Sequence, residues 1–225
     1  MAYNDKQIAA QEAASRIKDG MVIGIGSGST VNEMLRFLAK RIEAEGIRVS
    51  GIPSSLKTER LAKELEIPLT TFAVHQKVDI AIDGTDEVDS NLHLIKGGGG
   101  SLVREKMVDM VADKFIVIAD QSKMVKRFGN VAVPVEIVPY GWQATEKRLQ
   151  QIGCQTNLRY RNGEIFVSDN QNYIIDCKFN EIKEPARLHE SIKRLVGVVE
   201  TGIFTDMVHE TIIVDQGNIS VLKVK

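Results

Sequence analysis

Apolar residues in the first 120 positions gather in short continuous runs, separated by stretches of helical spacing. Met21-Val22-Ile23-Gly24-Ile25, Val49 to Ile52, Val78-Asp79-Ile80-Ala81-Ile82 and Phe115 to Ala119 read as strands. Ile8 to Ile17 reads as a helix closed by Gly20 at its C′ position. Val31, Met34, Leu35, Leu38 and Ile42 share one face of a second helix. Leu56 to Leu65 forms a third ahead of Pro68, and Ser101 to Ala112 a fourth, while Pro53 stops the second strand. Near-continuous apolar strands alternating with helices predict a parallel sheet covered on both faces. Ligands of such sheets sit beyond the carboxyl ends of the strands, which directs attention to the loops after Ile25, Ile52, Ile82 and Ala119.

The pattern changes after about Asn130. Val131 to Val138 reads as a strand, Gly141 to Ile152 as a helix, and Gln155–Tyr160, Glu164–Val167 and Tyr173–Lys178 as strands. Pro185 to Val196 is a helix and Val198–Phe204 a strand. With one extra strand set aside, this is the split βαβ order of a ferredoxin-like α+β domain, placed at 131–206. Thr211 to Val214 and Ile219 to Val224 predict a hairpin around Gly217-Asn218 that returns to the first domain. The expected fold is therefore α/β: a Rossmann-like parallel-sheet domain, 1–130 plus 207–225, carrying an inserted smaller α+β domain.

Composition narrows the partners. With 43% hydrophobic and 26% charged residues the chain has the make-up of a packed globule. The formal net charge is −1, from 29 Lys+Arg against 30 Asp+Glu, and no basic patch stands out, which argues against a nucleic-acid binder. It leaves room for a small anionic ligand, which needs only local positive charge. The cysteines, Cys154 and Cys177, show neither a CxxC nor metal-ligand spacing and suggest a reducing compartment. The start is polar and no stretch approaches the roughly 18 apolar residues of a membrane span, so a cytoplasmic protein that does not engage membranes is expected. His75, His93, His189 and His209 do not pair at helical ligand spacing, and no metal or histidine-based triad is expected.

Four motifs lie at or just beyond strand ends. Gly24-Ile25-Gly26-Ser27-Gly28-Ser29-Thr30 leads from a strand into a helix, where exposed N–H groups favour an anion and Ser27, Ser29 and Thr30 add hydroxyls. It departs from the dinucleotide fingerprint, because Ser29 takes the third glycine position and Ile52-Pro53 ends the second strand without an acid; the Walker GK[ST] is also missing. The plain alternative is a glycine-rich turn with Ser or Thr as N-cap. Asp83-Gly84-Thr85-Asp86-Glu87-Val88-Asp89 places four carboxylates in seven positions, either a tuned acidic cluster or a solvated turn. Lys96-Gly97-Gly98-Gly99-Gly100-Ser101, followed by Arg104-Glu105, suits backbone that closely approaches a polyhydroxy ligand better than a linker, which would split the sheet pattern. Glu105 reads either as a general base or as an ordinary acid near a helix start. In Ala119-Asp120-Gln121-Ser122-Lys123, Lys123 is a candidate for a phosphate or sugar oxygen, or a surface lysine, and Ser54-Ser55 can add hydroxyls to a pocket.

Taken together and in this order, the four motifs resemble ribose-5-phosphate isomerases of the A type. The resemblance implies an aldose–ketose isomerase acting on D-ribose 5-phosphate and D-ribulose 5-phosphate, a step of the non-oxidative pentose phosphate pathway, without a cofactor. It implies Glu105 as the catalytic base, with Asp83, Asp86 and Lys96 at the sugar end. It puts Ser27, Gly28, Ser29 and Thr30 at the phosphate, and Gly84, Thr85, Gly97, Gly98, Gly99 and Lys123 in further substrate contacts. Ser27 stands where many members carry Thr, and Thr85 where Ala is frequent; both changes conserve size. The resemblance also implies a homodimer or higher homo-oligomer, with the α+β domain as its expected interface. Competing readings are a sugar-phosphate sensor without chemistry, an acyl-CoA transferase or sugar-phosphate deaminase of shared architecture, and a Schiff-base enzyme through Lys96.

Overall fold

The four apolar runs become neighbouring parallel strands. The computed structural model describes residues 3–224. Its elements run α1 (Asp5–Ser15), β1 (Val22–Ile25), α2 (Ser29–Glu45), β2 (Ser50–Pro53), α3 (Leu56–Glu64), β3 (Val78–Asp83), β4 (Glu87–Val88), β5 (Leu94–Ile95), α4 (Leu102–Asp109) and β6 (Ala112–Asp120). A 3-10 turn at Gln121–Lys123 comes next. Then come β7 (Val133–Ile137), α5 (Trp142–Gln151), β8 (Gln155–Leu158), β9 (Tyr160–Arg161), β10 (Glu164–Ile165), β11 (Tyr173–Lys178), α6 (Pro185–Lys193), β12 (Val198–Thr201), β13 (Ile203–Phe204), β14 (Glu210–Asp215) and β15 (Asn218–Lys223). Two compact units divide the chain: the first holds residues up to Thr85, Arg104–Met124 and residues from Met207, the second Asp86–Val103 and Val125–Asp206. Segment 131–206 lies within the second unit, which also takes in 86–103 and 125–130.

In the first unit the sheet order is β15-β14-β6-β3-β1-β2. Its pairings are parallel except for the β14–β15 hairpin at the edge. Ile23, Ile25, Ile80, Ile82, Ile116, Ile118, Ile212 and Val214 are buried in one core with Met34, Leu35 and Leu38 of α2. Truncating such a leucine to alanine typically costs about 2–5 kcal/mol. Helix α1 contributes Ala9, Ala10, Ala13 and Ala14 to the same core, small side chains that let its backbone pack closely. Its start is fixed by a capping box between Asn4 and Gln7.

Several boundaries differ from the sequence reading, each for a tertiary reason. Helix α1 stops at Ser15 with Arg16 as C-cap, so Gly20 is not its C′ residue. Gly20 (φ +83°) instead shapes the next turn, donating its N–H to Arg48 O at 2.7 Å. Pro53 is the last residue of β2 rather than its stop; the strand lies at the end of the sheet order, where a missing N–H is tolerated. Helix α4 ends at Asp109, and Ala112 already belongs to β6, because pairing with β3 (Val78↔Ala112, Ile80↔Lys114) claims these residues. The final hairpin turns on Gln216 (φ +48°) and Gly217 (φ +82°), one residue earlier than expected. Two successive positive φ values match the twist of a tight hairpin, and Asp5 accepts both of the turn's N–H groups.

The second unit contains an antiparallel sheet in the order β12-β7-β11-β8. With α5 between β7 and β8 and α6 between β11 and β12, this is the ferredoxin-like arrangement. Leu149 and Ile192 of the helices pack with Val133, Val135, Ile137 and Ile175 of the sheet. Cys154 and Cys177 share this core as unbridged thiols. Their proximity draws the Cys154 thiol below its usual range, and the same contact with burial pushes Cys177 well above it. The strand expected at Val198–Phe204 breaks at Gly202, and β13 joins β5 and β4 in a small separate sheet. A side chain at 202 would meet Lys96 O at 2.1 Å. Among the described residues no helix is long and apolar enough to cross a membrane.

Candidate active site

In the first unit β1, β3 and β6 are neighbours in the sheet and reach their carboxyl ends side by side. After β1 the chain bends through Gly26, where a Cβ would lie 2.1 Å from the Asp83 carboxyl carbon. Only glycine lets the two loops approach this closely. Gly28 (φ +116°) is the N-cap of α2 and supplies no capping side chain, so the plain alternative of a Ser or Thr cap does not hold. Ser29 and Thr30 are therefore the first residues of the helix itself, where the N–H groups and dipole favour an anion. Lys6 Nζ donates to Ser29 Oγ at 3.4 Å and adds a full positive charge.

Ser27 places its hydroxyl in a cluster of others. Its Oγ lies 2.9 Å from Ser54 Oγ, 2.9 Å from Ser55 Oγ and 3.1 Å from Thr58 Oγ1. Ser54, Ser55 and Thr58 are buried. Thr58 Oγ1 in turn donates to Gly26 O at 2.9 Å, and Ser55 Oγ caps α3 by accepting the Thr58 N–H at 3.0 Å. This hydroxyl cluster braces the bend, and Ser54 and Ser55 join it through Ser27.

Asp83, the last residue of β3, is fully buried. Its Oδ1 accepts the N–H of Ser27 at 2.9 Å and of Gly84 at 2.7 Å. Gly84 and Thr85 continue from it, half-buried. Helix α4 packs against β1, where Val108 Cγ1 would lie 2.6 Å from a Cβ on Gly24. Glu105 is one turn earlier on α4 and is buried. Helix α4 lies in the connection between the parallel neighbours β3 and β6, which brings its start to the side of the strands' carboxyl ends. Lys123, in the 3-10 turn after β6, is half-buried.

The remaining predicted residues belong to the second unit. Asp86, half-buried, accepts the Gly98 N–H on Oδ2 at 2.8 Å. Lys96 is buried, with Nζ 5.6 Å from the centre of the Phe204 ring. Gly97 (φ +97°) and Gly100 (φ +94°) turn the loop, closed by Gly100 N–H to Gly97 O at 3.0 Å. Gly98 and Gly99 form its exposed tip. The acidic run divides between the two units. Asp83 secures the first unit's loops, Glu87 is buried in β4, and Asp89 Oδ1 accepts the N–H groups of Asn91 and His93, each at 2.9 Å. Among the described residues no three of His, Cys, Asp and Glu assemble as metal ligands. His209 Nδ1 accepts the Phe115 N–H at 3.0 Å, a structural role.

Lys6, Thr58 and Arg159 were invisible in the motifs. Each reaches a motif from a distant part of the chain, and Lys6 and Arg159 bring charge to it.

A family model, ribose 5-phosphate isomerase A (phosphoriboisomerase A), matches residues 50–218. Ribose-5-phosphate isomerase A 2 of Oceanobacillus iheyensis is 66% identical over 223 residues, 99% of this chain and 100% of that protein. Ribose-5-phosphate isomerase A of Bacillus mycoides is 46% identical over 211 residues, covering 93% and 95% of the two chains. Among solved structures, ribose 5-phosphate isomerase from Plasmodium falciparum superposes with a TM-score of 0.95 at 41% identity, covering 98% of each chain. A D-ribose-5-phosphate isomerase in complex with phospho-erythronic acid gives 0.94 at 36% identity, covering 97% of each.

Proposed function

The chain belongs to the ribose 5-phosphate isomerase A family, and from that premise we propose that it interconverts D-ribose 5-phosphate and D-ribulose 5-phosphate through an enediolate, with Glu105 as the proton shuttle. The observation that carries this reading is the end-to-end match to an isomerase, 66% identical over 99% of this chain and 100% of that one. The reaction is a step of the non-oxidative pentose phosphate pathway.

The chemistry moves one proton between carbons and one between oxygens. Glu105 removes the first from C2 of the open aldose, and the electrons form the C1–C2 double bond as the carbonyl oxygen becomes an oxyanion. The same carboxyl group returns the proton to C1 as the O2 hydroxyl gives up its proton to become the carbonyl and O1 takes one up, giving the ketose and restoring the base. Lys96 supplies positive charge to the developing oxyanion. Asp83 and Asp86 exchange protons with the sugar hydroxyls and assist ring opening, alongside the backbone bonds they hold. Gly84, Thr85, Gly97, Gly98, Gly99 and Lys123 complete the sugar contacts. The start of α2, with Gly28, Ser29, Thr30 and Lys6, takes the phosphate, and Ser27 holds that bend in shape. Phosphate binding remote from the reacting carbons orients the open chain.

The test is to incubate purified protein with D-ribose 5-phosphate and follow ketose formation. Steady turnover is expected; absence of ketose sinks the reading. Failure of borohydride with substrate to inactivate the enzyme separates the enediolate route from a Schiff base at Lys96. We assign a cytoplasmic homodimer or higher homo-oligomer to the chain, to be read by light scattering on the eluting protein. The exposed Tyr140 and Val196 of the second unit suit such an interface.

A further inference from the structure

Arg159 lies outside every motif of the sequence, yet it holds one of them. It comes directly after β8, donating its N–H to Ile174 O and accepting that of Phe166, each at 2.8 Å. Its guanidinium is mostly buried and forks onto Asp176 of β11, with Nε 2.9 Å from Oδ2 and Nη2 bonded to Oδ1. The remaining nitrogen, Nη1, donates to the carbonyls of Gly97 at 2.9 Å and Gly98 at 3.2 Å. Arg161 adds a longer bond to Gly99 O at 3.4 Å and stacks 4.4 Å from the centre of the Phe166 ring. Phe166 occupies the space that a side chain at residue 100 would need, 2.4 Å from a Cβ built there.

Peptide geometry then sets the direction of the opposite edge. In a trans peptide the C=O and the next residue's N–H point in opposite directions. With the carbonyls of Gly97 and Gly98 turned to Arg159, the N–H groups of Gly98 and Gly99 face away from it. The Gly98 N–H meets Asp86 accordingly, and Gly98 and Gly99 are both exposed. A run of glycines has little preference of its own for one orientation, so a fixed donor edge needs an outside brace. The geometry points to Arg159, braced by Asp176, as the positioning residue that turns the Gly99 N–H toward the sugar and holds the Gly98 N–H on Asp86 at the sugar end. Positive charge on the carbonyl side also polarises these peptides, which strengthens their N–H groups as donors. The inference rests on the reading of Gly97 to Gly99 as substrate-binding.

Two competitive inhibitors separate positioning from general damage. Inorganic phosphate probes only the phosphate end; phospho-erythronic acid, the ligand of a solved relative, probes both ends. Arg159→Ala is expected to weaken phospho-erythronic acid by about 10–100-fold, with inorganic phosphate held within about 2-fold, as befits the loss of charge-assisted bonds at one end. Arg159→Lys recovers part of the affinity, because one ammonium can replace one of the two contacts. Unchanged affinity for phospho-erythronic acid overturns the proposal, and so does an equal loss for both inhibitors. Should Arg159→Ala fail to fold, Arg159→Lys and Asp176→Asn carry the same comparison. Wild-type protein that produces no ketose refutes the isomerase reading instead, before any variant is compared.

Discussion

Asp83 Oδ1 accepts the backbone N–H of Ser27 at 2.9 Å, so the end of β3 fixes the bend after β1. The same oxygen holds Gly84 N–H at 2.7 Å, and the carboxylate is fully buried. Hydrogen bonds accepted by a carboxylate are worth about 1.5–3 kcal/mol each, and their loss leaves buried donors unmet. Asp83→Ala is expected to lower unfolding stability by about that amount and to reduce kcat/KM as well. Asp83→Asn keeps an acceptor oxygen and should lose less stability. Urea titration of both variants checks the order; an alanine variant as stable as wild type contradicts it. Gly26→Ala tests the same juncture from the other side, since its methyl would collide with Asp83.

Glu105 is buried on α4, and its assignment as the shuttle predicts a defect in chemistry rather than binding. Glu105→Gln conserves shape and removes the base. The expected loss in kcat is about 10²–10⁴-fold, the usual contribution of a positioned acid–base group, with KM nearly unchanged. Steady-state kinetics in both directions measure it. Near-wild-type turnover would move the role elsewhere.

The strands of the parallel sheet were legible because burial on both faces writes them as apolar runs, as in Val78–Asp83 and Phe115 to Ala119. Boundaries set by partners were not: Ala112 reads as helix until its pairing with Val78 is known. The glycine motifs were legible as places where backbone approaches something, but not what braces them. Thr58 meets Gly26 across 32 positions and Arg159 meets Gly97 across 62, separations that no local pattern encodes. Nor did the acidic run show which backbone turns its members hold: Asp83 Oδ1 accepts from Ser27, and Asp89 Oδ1 from Asn91.

Asp19 offers a pH test away from the site. Its carboxylate accepts from Arg48 Nε and Nη2 and from the Arg48 N–H, and these bonds hold its pKa at about 2, below the ordinary 3.8. A depressed folded-state pKa means that the stabilisation is fully present above the unfolded value and is lost as pH falls through the folded one. Asp19→Asn should therefore be less stable than wild type at neutral pH, and the gap should close between about pH 4 and pH 2. Because the pair is exposed, added salt should also narrow it. Thermal unfolding across pH at two salt concentrations reads both effects; a gap that widens in acid contradicts the assignment.

Thr30 and Ser27 sit three residues apart in one bend, and their variants should separate the two functions of that bend. Thr30 lies in the first turn of α2, beside the uncapped Gly28 and near Lys6 through Ser29, so it belongs to anion binding. Thr30→Ala and Lys6→Gln are expected to raise KM and weaken inhibition by inorganic phosphate, with kcat largely kept, the signature of lost uniform binding. Ser27 Oγ is engaged with Ser54, Ser55 and Thr58. Ser27→Ala should cost about 0.5–1.5 kcal/mol of unfolding stability, the worth of a neutral hydrogen bond, and affect phosphate inhibition less than Thr30→Ala does. A Thr30→Ala enzyme whose defect lies in kcat alone would place the phosphate elsewhere. A Ser27→Ala enzyme that keeps full stability but loses phosphate inhibition would return its hydroxyl to the ligand.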